Sequence, residues 1–391
     1  MRVVPWNRSL AAAFVIVLLA AELSAQSMST ARRHPSRSER IPLPNCAVIE
    51  GTAAVTFTGN DGRLLTPTSG PLHGVNYTMG LVALETPGVL LAAAGTSLIR
   101  STDHGCSWSV IGELRGSEGF PPFLTAARGN RAYAWADQRS DLFSIDGMSV
   151  RVLKSPVTAM IGLGVDPGTS DHVRIAGGDG SVWDSSDGGA SWTARPGKAP
   201  PASIFYRARF EEADLDHIVL GTASTGSFLS RDGGLTWTAS RGLGAKGANI
   251  FELTISVADP RIVWAAGIDF AELDGGAPSG GRHIYLSEDG GASFRPVVDA
   301  SPTVTIRNGP VMAAHPANPN LMYFAFGSYF QKYGTDLYRF DVSNGQLTTE
   351  HNSYDGIDAI AFQRGNPSVM YLGLESVEFT EPIASGWVGR R

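Results

Sequence analysis

Apolar residues in this chain gather in short runs that Gly, Pro and Asp interrupt before they can lengthen. Ala159 to Val165 is followed by the turn Asp166-Pro167-Gly168, then by His172 to Ala176, Ser181 to Trp183 and Ser191 to Thr193. The same order returns as Thr254 to Pro260 with Ile262 to Ala266, and as Met312 to Pro316 with Met322 to Ala325. Short apolar runs bounded by turn formers read as strands. The pattern therefore predicts an all-β chain of four-strand units, with strands A to D in order. The ends complete one another. Asp358 to Phe362 and Val369 to Gly373 read as strands A and B with no Asp–Gly turn mark after them. Ala53 to Phe57 and Arg63 to Leu65 read as strands C and D with nothing before them. One unit built from both termini would remove free sheet edges.

A second signal punctuates these runs. Ser101-x-Asp103-x-Gly105-x-x-Trp108 recurs at Ser185/Asp187/Gly189/Trp192, Ser230/Asp232/Gly234/Trp237 and Ser287/Asp289/Gly291/Phe294. Each residue type has a local reason. Asp accepts hydrogen bonds from the N–H groups of its own turn, and Ser offers another short-range bond. Gly adopts backbone angles that side chains resist, and the aromatic residue buries a large apolar area. Weaker marks at Asp61, Asp146 and Asp341 extend the series. The spacing is 41 to 45 residues from Asp61 to Asp232, then 57 to Asp289 and 52 to Asp341. A period near 42 matches one four-stranded propeller blade.

At these residues the chain resembles the Asp-box, or BNR, repeat proteins. That family includes sialidases, xyloglucanases, sortilin-type receptors and photosystem II assembly factors, all β-propellers. The resemblance and the seven marks together imply a single seven-bladed β-propeller with Asp-box turns, its ring closed by the N- and C-terminal strands. Asp103, Asp187, Asp232, Asp289, Trp108, Trp192, Trp237 and Phe294 are then structural.

Composition is consistent with this. Of 391 residues 43% are hydrophobic and only 17% charged, with 46 Gly and 23 Pro, as many tight turns require. The formal net charge of −6 lacks the basic footprint of a nucleic-acid binder. Arg2 and Arg8 precede or flank the apolar run Leu10 to Ala21, and Ala25 could end a cleaved leader, so residues 1–25 read as a signal peptide. The run is short for a membrane span. The mature chain is expected outside the cytoplasm, secreted or periplasmic, with no stable membrane insertion, as a monomer. Residues 26–45, with Arg32, Arg33, Arg37 and Arg40, read as a disordered linker, and 46–391 as the propeller. In an oxidising compartment Cys46 and Cys106, the two cysteines of the chain, form a candidate disulfide.

In such a unit the A–B and C–D turns share one face, so the boxes occupy it, and B–C loops lie opposite. Extra length falls on that opposite face. Asp269 to Gly281 carries Asp269, Glu272 and Asp274, followed by Arg282 and His283; Ser328 to Asp336 carries Tyr329, Lys332, Tyr333 and Asp336. Function is often carried on loops set on a rigid scaffold. Asp269, Glu272, Asp274, Arg282, Tyr329, Lys332, Tyr333 and Asp336 are therefore the ligand-contact candidates, with Asp137, Arg139 and Asp141 on the second blade. Glu211, Glu212 and Asp214 fall in an A–B turn on the box face and read as a solvated turn.

Catalysis finds weaker support. The sialidase resemblance implies three Arg gripping a carboxylate, a Tyr nucleophile with a Glu partner, and an Asp. Arg40-Ile41-Pro42 matches that family's opening motif over three residues, while Arg207, Arg209, Arg282 and Arg307 are undifferentiated candidates for the rest. A xyloglucanase mechanism needs two carboxylates across a cleft between two propellers, and the chain has room for one. No Gly-x-Ser-x-Gly elbow, phosphate loop or metal-spaced His pair is present. His104 and His315 fall in turns and read as structural. The expectation is a module that binds or scaffolds a protein, peptide or glycan on the face opposite the boxes, without cofactor or metal; the alternative is a glycoside hydrolase of sialidase or xyloglucanase type.

Overall fold

The computed structural model describes residues 55–58, 80–94, 96–115, 122–244, 246–306, 311–325, 335–353 and 356–375. The expected leader and linker, the Asp61 mark, the Arg63 to Leu65 strand, Cys46, Arg307, Tyr329, Lys332 and Tyr333 lie outside the described residues.

The described residues form six four-stranded sheets, each in chain order, and one three-stranded sheet, all antiparallel. Sheets one to six open on Gly80–Ala83, Pro122–Ala126, Met160–Val165, Phe205–Phe210, Ala248–Ile255 and Val311–Ala314. The seventh holds Gly356–Phe362, Met370–Glu375 and Val55–Thr58, with Val55 opposite Gly373 and Thr58 opposite Met370. The two chain ends thus share a sheet. Each opening strand touches the next one along the chain, and Gly80–Ala83 touches Gly356–Phe362.

Close approach of these inner strands dictates their residues. A Cβ at Gly80 would lie 2.4 Å from the Pro122 carbonyl oxygen, and one at Gly162 would lie 2.4 Å from that of Ala208. Glycine at both positions lets the neighbouring sheet's backbone come into contact. Second strands are covered on both faces, so Val173–Gly177 and Ile218–Thr222 are buried throughout. Outermost strands shrink to Thr193–Ala194 and Thr238–Ala239 in sheets three and four, and both are exposed.

The four box turns share one hydrogen-bond set. The Ser hydroxyl donates to Asp Oδ1, the last Gly N–H donates to that Ser Oγ at 2.8 Å, and the following Ser or Thr donates its N–H to Oδ1 and its hydroxyl to Oδ2 at 2.6 Å. Each box is also tied to the A–B turn of its own sheet. Gly188, Gly233 and Gly290 donate to the carbonyls of Asp171, Asp216 and Arg261, and His104 donates to that of Gly88. Both turn types therefore sit on one face. The aromatic residues fill seams toward the preceding sheet. Trp108, Trp192 and Trp237 are half-buried there, and Phe294 is fully buried.

One departure from expectation and one bond between sheets stand out on this face. Glu211 is not solvated as an acidic turn should be. Its carboxylate holds His217 Nδ1 at 2.7 Å, and the buried His217 reaches the Gly290 carbonyl of sheet five through Nε2 at 2.8 Å. His104 takes φ 64°, a left-handed conformation that its counterparts give to glycine. It spends that strain on a bond across sheets, Nδ1 to the Tyr371 hydroxyl at 2.7 Å, and Tyr371 in turn donates to Gln363 Oε1. His315, in its A–B turn, accepts from the N–H groups of Ala317 and Asn318. Cys106 is disulfide-bonded.

Candidate functional site

The enlarged B–C connection of sheet five contains a short helix, Phe270–Asp274. Asp269 is its N-cap and accepts from the N–H groups of Ala271 and Glu272. Glu272 is partly exposed yet engaged on its own sheet. It accepts from Ser279 Oγ at 3.2 Å and meets His283 Nε2 at 2.9 Å, while His283 Nδ1 meets Asp299 Oδ1 at 2.8 Å. Asp274 is exposed and Arg282 half-buried. Asp336 lies in the strand Thr335–Asp341. Asp269 thus caps the loop's own helix, and Glu272 fastens the loop to its sheet through His283.

A different group converges where the opening strands begin, at the B–C end away from the boxes. Arg207, on the opening strand of sheet four, reaches past sheet three to Asp137 in the B–C turn of sheet two, with its Nη atoms 3.0 and 3.3 Å from the two carboxylate oxygens. Its Nε lies 3.3 Å from Glu252 Oε2 on sheet five, and its guanidinium stacks over Phe123, 4.5 Å from the ring centroid. Arg209 binds Glu252 Oε1 and donates Nε to the Leu253 carbonyl at 2.7 Å. Arg139, flagged beside Asp137, pairs with Asp141 at 2.9 Å instead.

The two carboxyls share Arg207 yet shift oppositely. Burial pushes Glu252 up, but Arg209 and Arg207, with the Leu253 N–H, outweigh it and hold the carboxyl below its usual range. Burial also pushes Asp137 up, and there Arg207 is opposed by the charge of Glu252, so Asp137 stays above its usual range. Both carboxyls feel Arg207 and Arg209, but Glu252 is bonded by Arg209 and the Leu253 N–H as well, whereas at Asp137 burial and the Glu252 charge together outweigh the two guanidiniums.

Aromatic surface borders these charges. Tyr206 and Phe251 pack with centroids 5.0 Å apart and remain half-exposed, and Ile204 beside them is 51% exposed. Gln138 donates to the Phe205 carbonyl at 3.2 Å from a left-handed backbone, φ 56°. Observed strain of this kind gathers at functional positions. The sequence singled out Asp137, Arg207 and Arg209, but nothing in it joined them to Phe123, Tyr206, Phe251 and Glu252. The guanidiniums are neutralised by the protein's own carboxylates, so they do not form a free carboxylate grip. The arrangement can offer an apolar, aromatic surface around a fixed polar centre, which suits side chains of a protein or the faces of a sugar. Among the described residues no group of His, Cys, Asp and Glu is arranged to hold a metal ion.

No family model matches the chain. It is 44% identical over 373 residues to the dispase autolysis-inducing protein of Streptomyces mobaraensis, covering 94% of this chain and 97% of that one. Among solved structures it resembles YCF48 bound to D1 peptide, at 10% identity and TM-score 0.54, over 78% of this chain and 95% of that one. It also resembles the GH74 xyloglucanase of Xanthomonas campestris, at 13% identity and TM-score 0.52, over 77% of this chain. It spans 51% of that enzyme's length. These likenesses show a β-propeller fold.

Proposed function

We propose that this chain, which belongs to the family of the Streptomyces mobaraensis dispase autolysis-inducing protein, is an exported seven-bladed Asp-box propeller, its ring closed by the terminal strands, that binds a protein partner opposite its box turns. The observation that carries the reading is the aromatic surface of Phe123, Tyr206 and Phe251 around guanidiniums already engaged by Asp137 and Glu252. The relative's name says that it induces autolysis of dispase. Inducing autolysis requires engaging an enzyme that cuts itself, and a rigid binding face is sufficient for that. The partner is then a self-digesting protease, and the loop of sheet five, with Asp274 and Arg282, is the neighbouring part of the contact surface.

A glycoside hydrolase is the second reading, and one observation favours it. Asp137 and Glu252 have carboxyls pushed apart in acidity, as an acid and its partner need to be. Against it, both Glu252 oxygens meet guanidiniums and the side chain is 9% exposed, so it is not presented to a sugar. The test is to incubate the purified chain with dispase, and separately with xyloglucan and sialosides. Accelerated fragmentation of dispase with no sugar release supports the binding reading. Sugar release that Asp137→Asn abolishes would replace it with the hydrolase.

A further inference from the structure

The outer strands of the sheets differ in how their edges are guarded. In sheets three and four the outer strand has two residues. In sheets one, five and six its pairing is broken by a register shift, at Leu98/Ile99, Ile284/Tyr285 and Leu337/Tyr338, and the strand of sheet five also carries Pro296. Short strands, bulges and Pro are the devices that stop an edge from recruiting another strand. Sheet two has none of them. Its outer strand Ser149–Lys154 pairs continuously over six residues, from Asp146 opposite Ser149 to Asp141 opposite Lys154. Among the described residues no strand is hydrogen-bonded to its other edge, although Ser109–Glu113 of sheet one packs against its Val150 side.

The same edge is apolar and cationic. Val152 is 73% exposed and Met148, in the preceding turn, is 58% exposed. Together they account for much of the exposed large hydrophobic surface of this sheet. Arg151 and Lys154 are both exposed, and the strand holds no carboxylate, although the whole chain has a net charge of −6. Arg100 of sheet one, with Nη1 4.0 Å from Met148 Sδ, adds a third cation. The nearby Asp146 and Asp141 face Arg131 and Arg139.

We propose that the outer edge of Ser149–Lys154 is a docking edge that takes an extended, acidic segment of another protein as an added strand. Main-chain hydrogen bonds along the edge supply affinity, and alternate side chains supply selectivity. Val152 would contact an apolar residue of the incoming strand, and Arg151 and Lys154 its carboxylates. A second copy of this chain fits less well, because its edge brings the same cations and no carboxylate to answer Arg151 and Lys154. This edge is separate from the aromatic face opposite the boxes, so either can stand without the other.

The test titrates the full chain with two capped octapeptides, one of Glu and Val ordered so that Glu stands on both faces of the extended strand and Val opposite Val152, the other with Lys in place of every Glu. The acidic peptide should bind at least tenfold tighter, and slow amide exchange at 149–154. Val152→Asp should weaken its binding at least tenfold, and the double variant Arg151→Glu, Lys154→Glu should reverse the preference, with circular dichroism showing both variants folded. Binding of neither peptide, equal binding of both, or a preference unchanged by the double variant would overturn the proposal. A concentration-dependent dimer of the unmodified chain, lost on Val152→Asp, would assign the edge to a second copy and overturn it too.

Discussion

Replacing Glu252 by Gln should destabilise the fold by about 3 kcal/mol, the lower end of the 3–5 kcal/mol typical when one partner of a buried ion pair is removed. The Arg207 side chain is 8% exposed and that of Glu252 is 9%, so water replaces little of what is lost. The lower end applies for two reasons. Asp137 remains on Arg207, and the Gln carbonyl can still accept from Arg209 and from the Leu253 N–H. Arg209 is 32% exposed and contributes the more screened part of the pair. Urea unfolding at neutral pH, followed by Trp fluorescence, measures the loss against the roughly 5–15 kcal/mol that a domain has in total. The pH dependence identifies the cause. Glu252 has a depressed folded pKa, so its stabilisation is present above the unfolded value near 4.5 and is lost as pH falls through the folded pKa. The unmodified chain and the variant should therefore converge in acid. Asp137 works in the opposite direction. Its raised pKa makes its ionised form a cost above the folded pKa, and Glu252→Gln should lower that pKa by removing a neighbouring negative charge. A loss below about 1 kcal/mol, with no convergence in acid, would mean the network is screened like a surface pair and refute the reasoning.

Three further outcomes follow from the turns. The Asp187 carboxyl, lowered to about 2 by the Ser191 hydroxyl and N–H and by Ser185, should titrate there by NMR and rise toward the ordinary 3.8 in Ser191→Ala. Gly234→Ala should cost about 2–4 kcal/mol in urea unfolding, since φ is +87° and the new Cβ would lie 2.6 Å from Val182 Cγ2. A bridge from Cys106 to Cys46 would close a loop of about sixty residues, so reduction should lower stability by about 4 kcal/mol on the chain-entropy scale, and a peptide map should contain the linked pair.

What the sequence revealed and what it concealed divide by the range of the interaction. The box turns were legible because Ser185, Asp187, Gly189 and Ser191 bond within four positions of one another, so the motif carries its own contacts. The shared sheet of the chain ends was legible because each end carried half a unit, and Val55–Thr58 does pair with Met370–Glu375. The polar centre was not, because Arg207 and Asp137 stand 70 positions apart and Phe123, Tyr206 and Phe251 look like ordinary strand aromatics. Glu211 was misread as solvated because its partner's second bond reaches a different sheet. The fate of Asp269 did have a local signal. Asp269-Phe-Ala-Glu272 has the spacing of a capping box, which marks a helix start before it marks a ligand contact. His104 had one as well, standing where the other boxes place glycine.

The central claim is that the aromatic face opposite the boxes binds the protein partner. Its most direct measurement is the binding of dispase to the immobilised chain, comparing Tyr206→Ala/Phe251→Ala with Leu235→Ala, a change in the exposed part of a box turn. Aromatic anchors dominate such contacts, so the account predicts at least a tenfold loss for the aromatic pair and none for Leu235→Ala. Unchanged binding by the aromatic variant, or loss confined to Leu235→Ala, would contradict it.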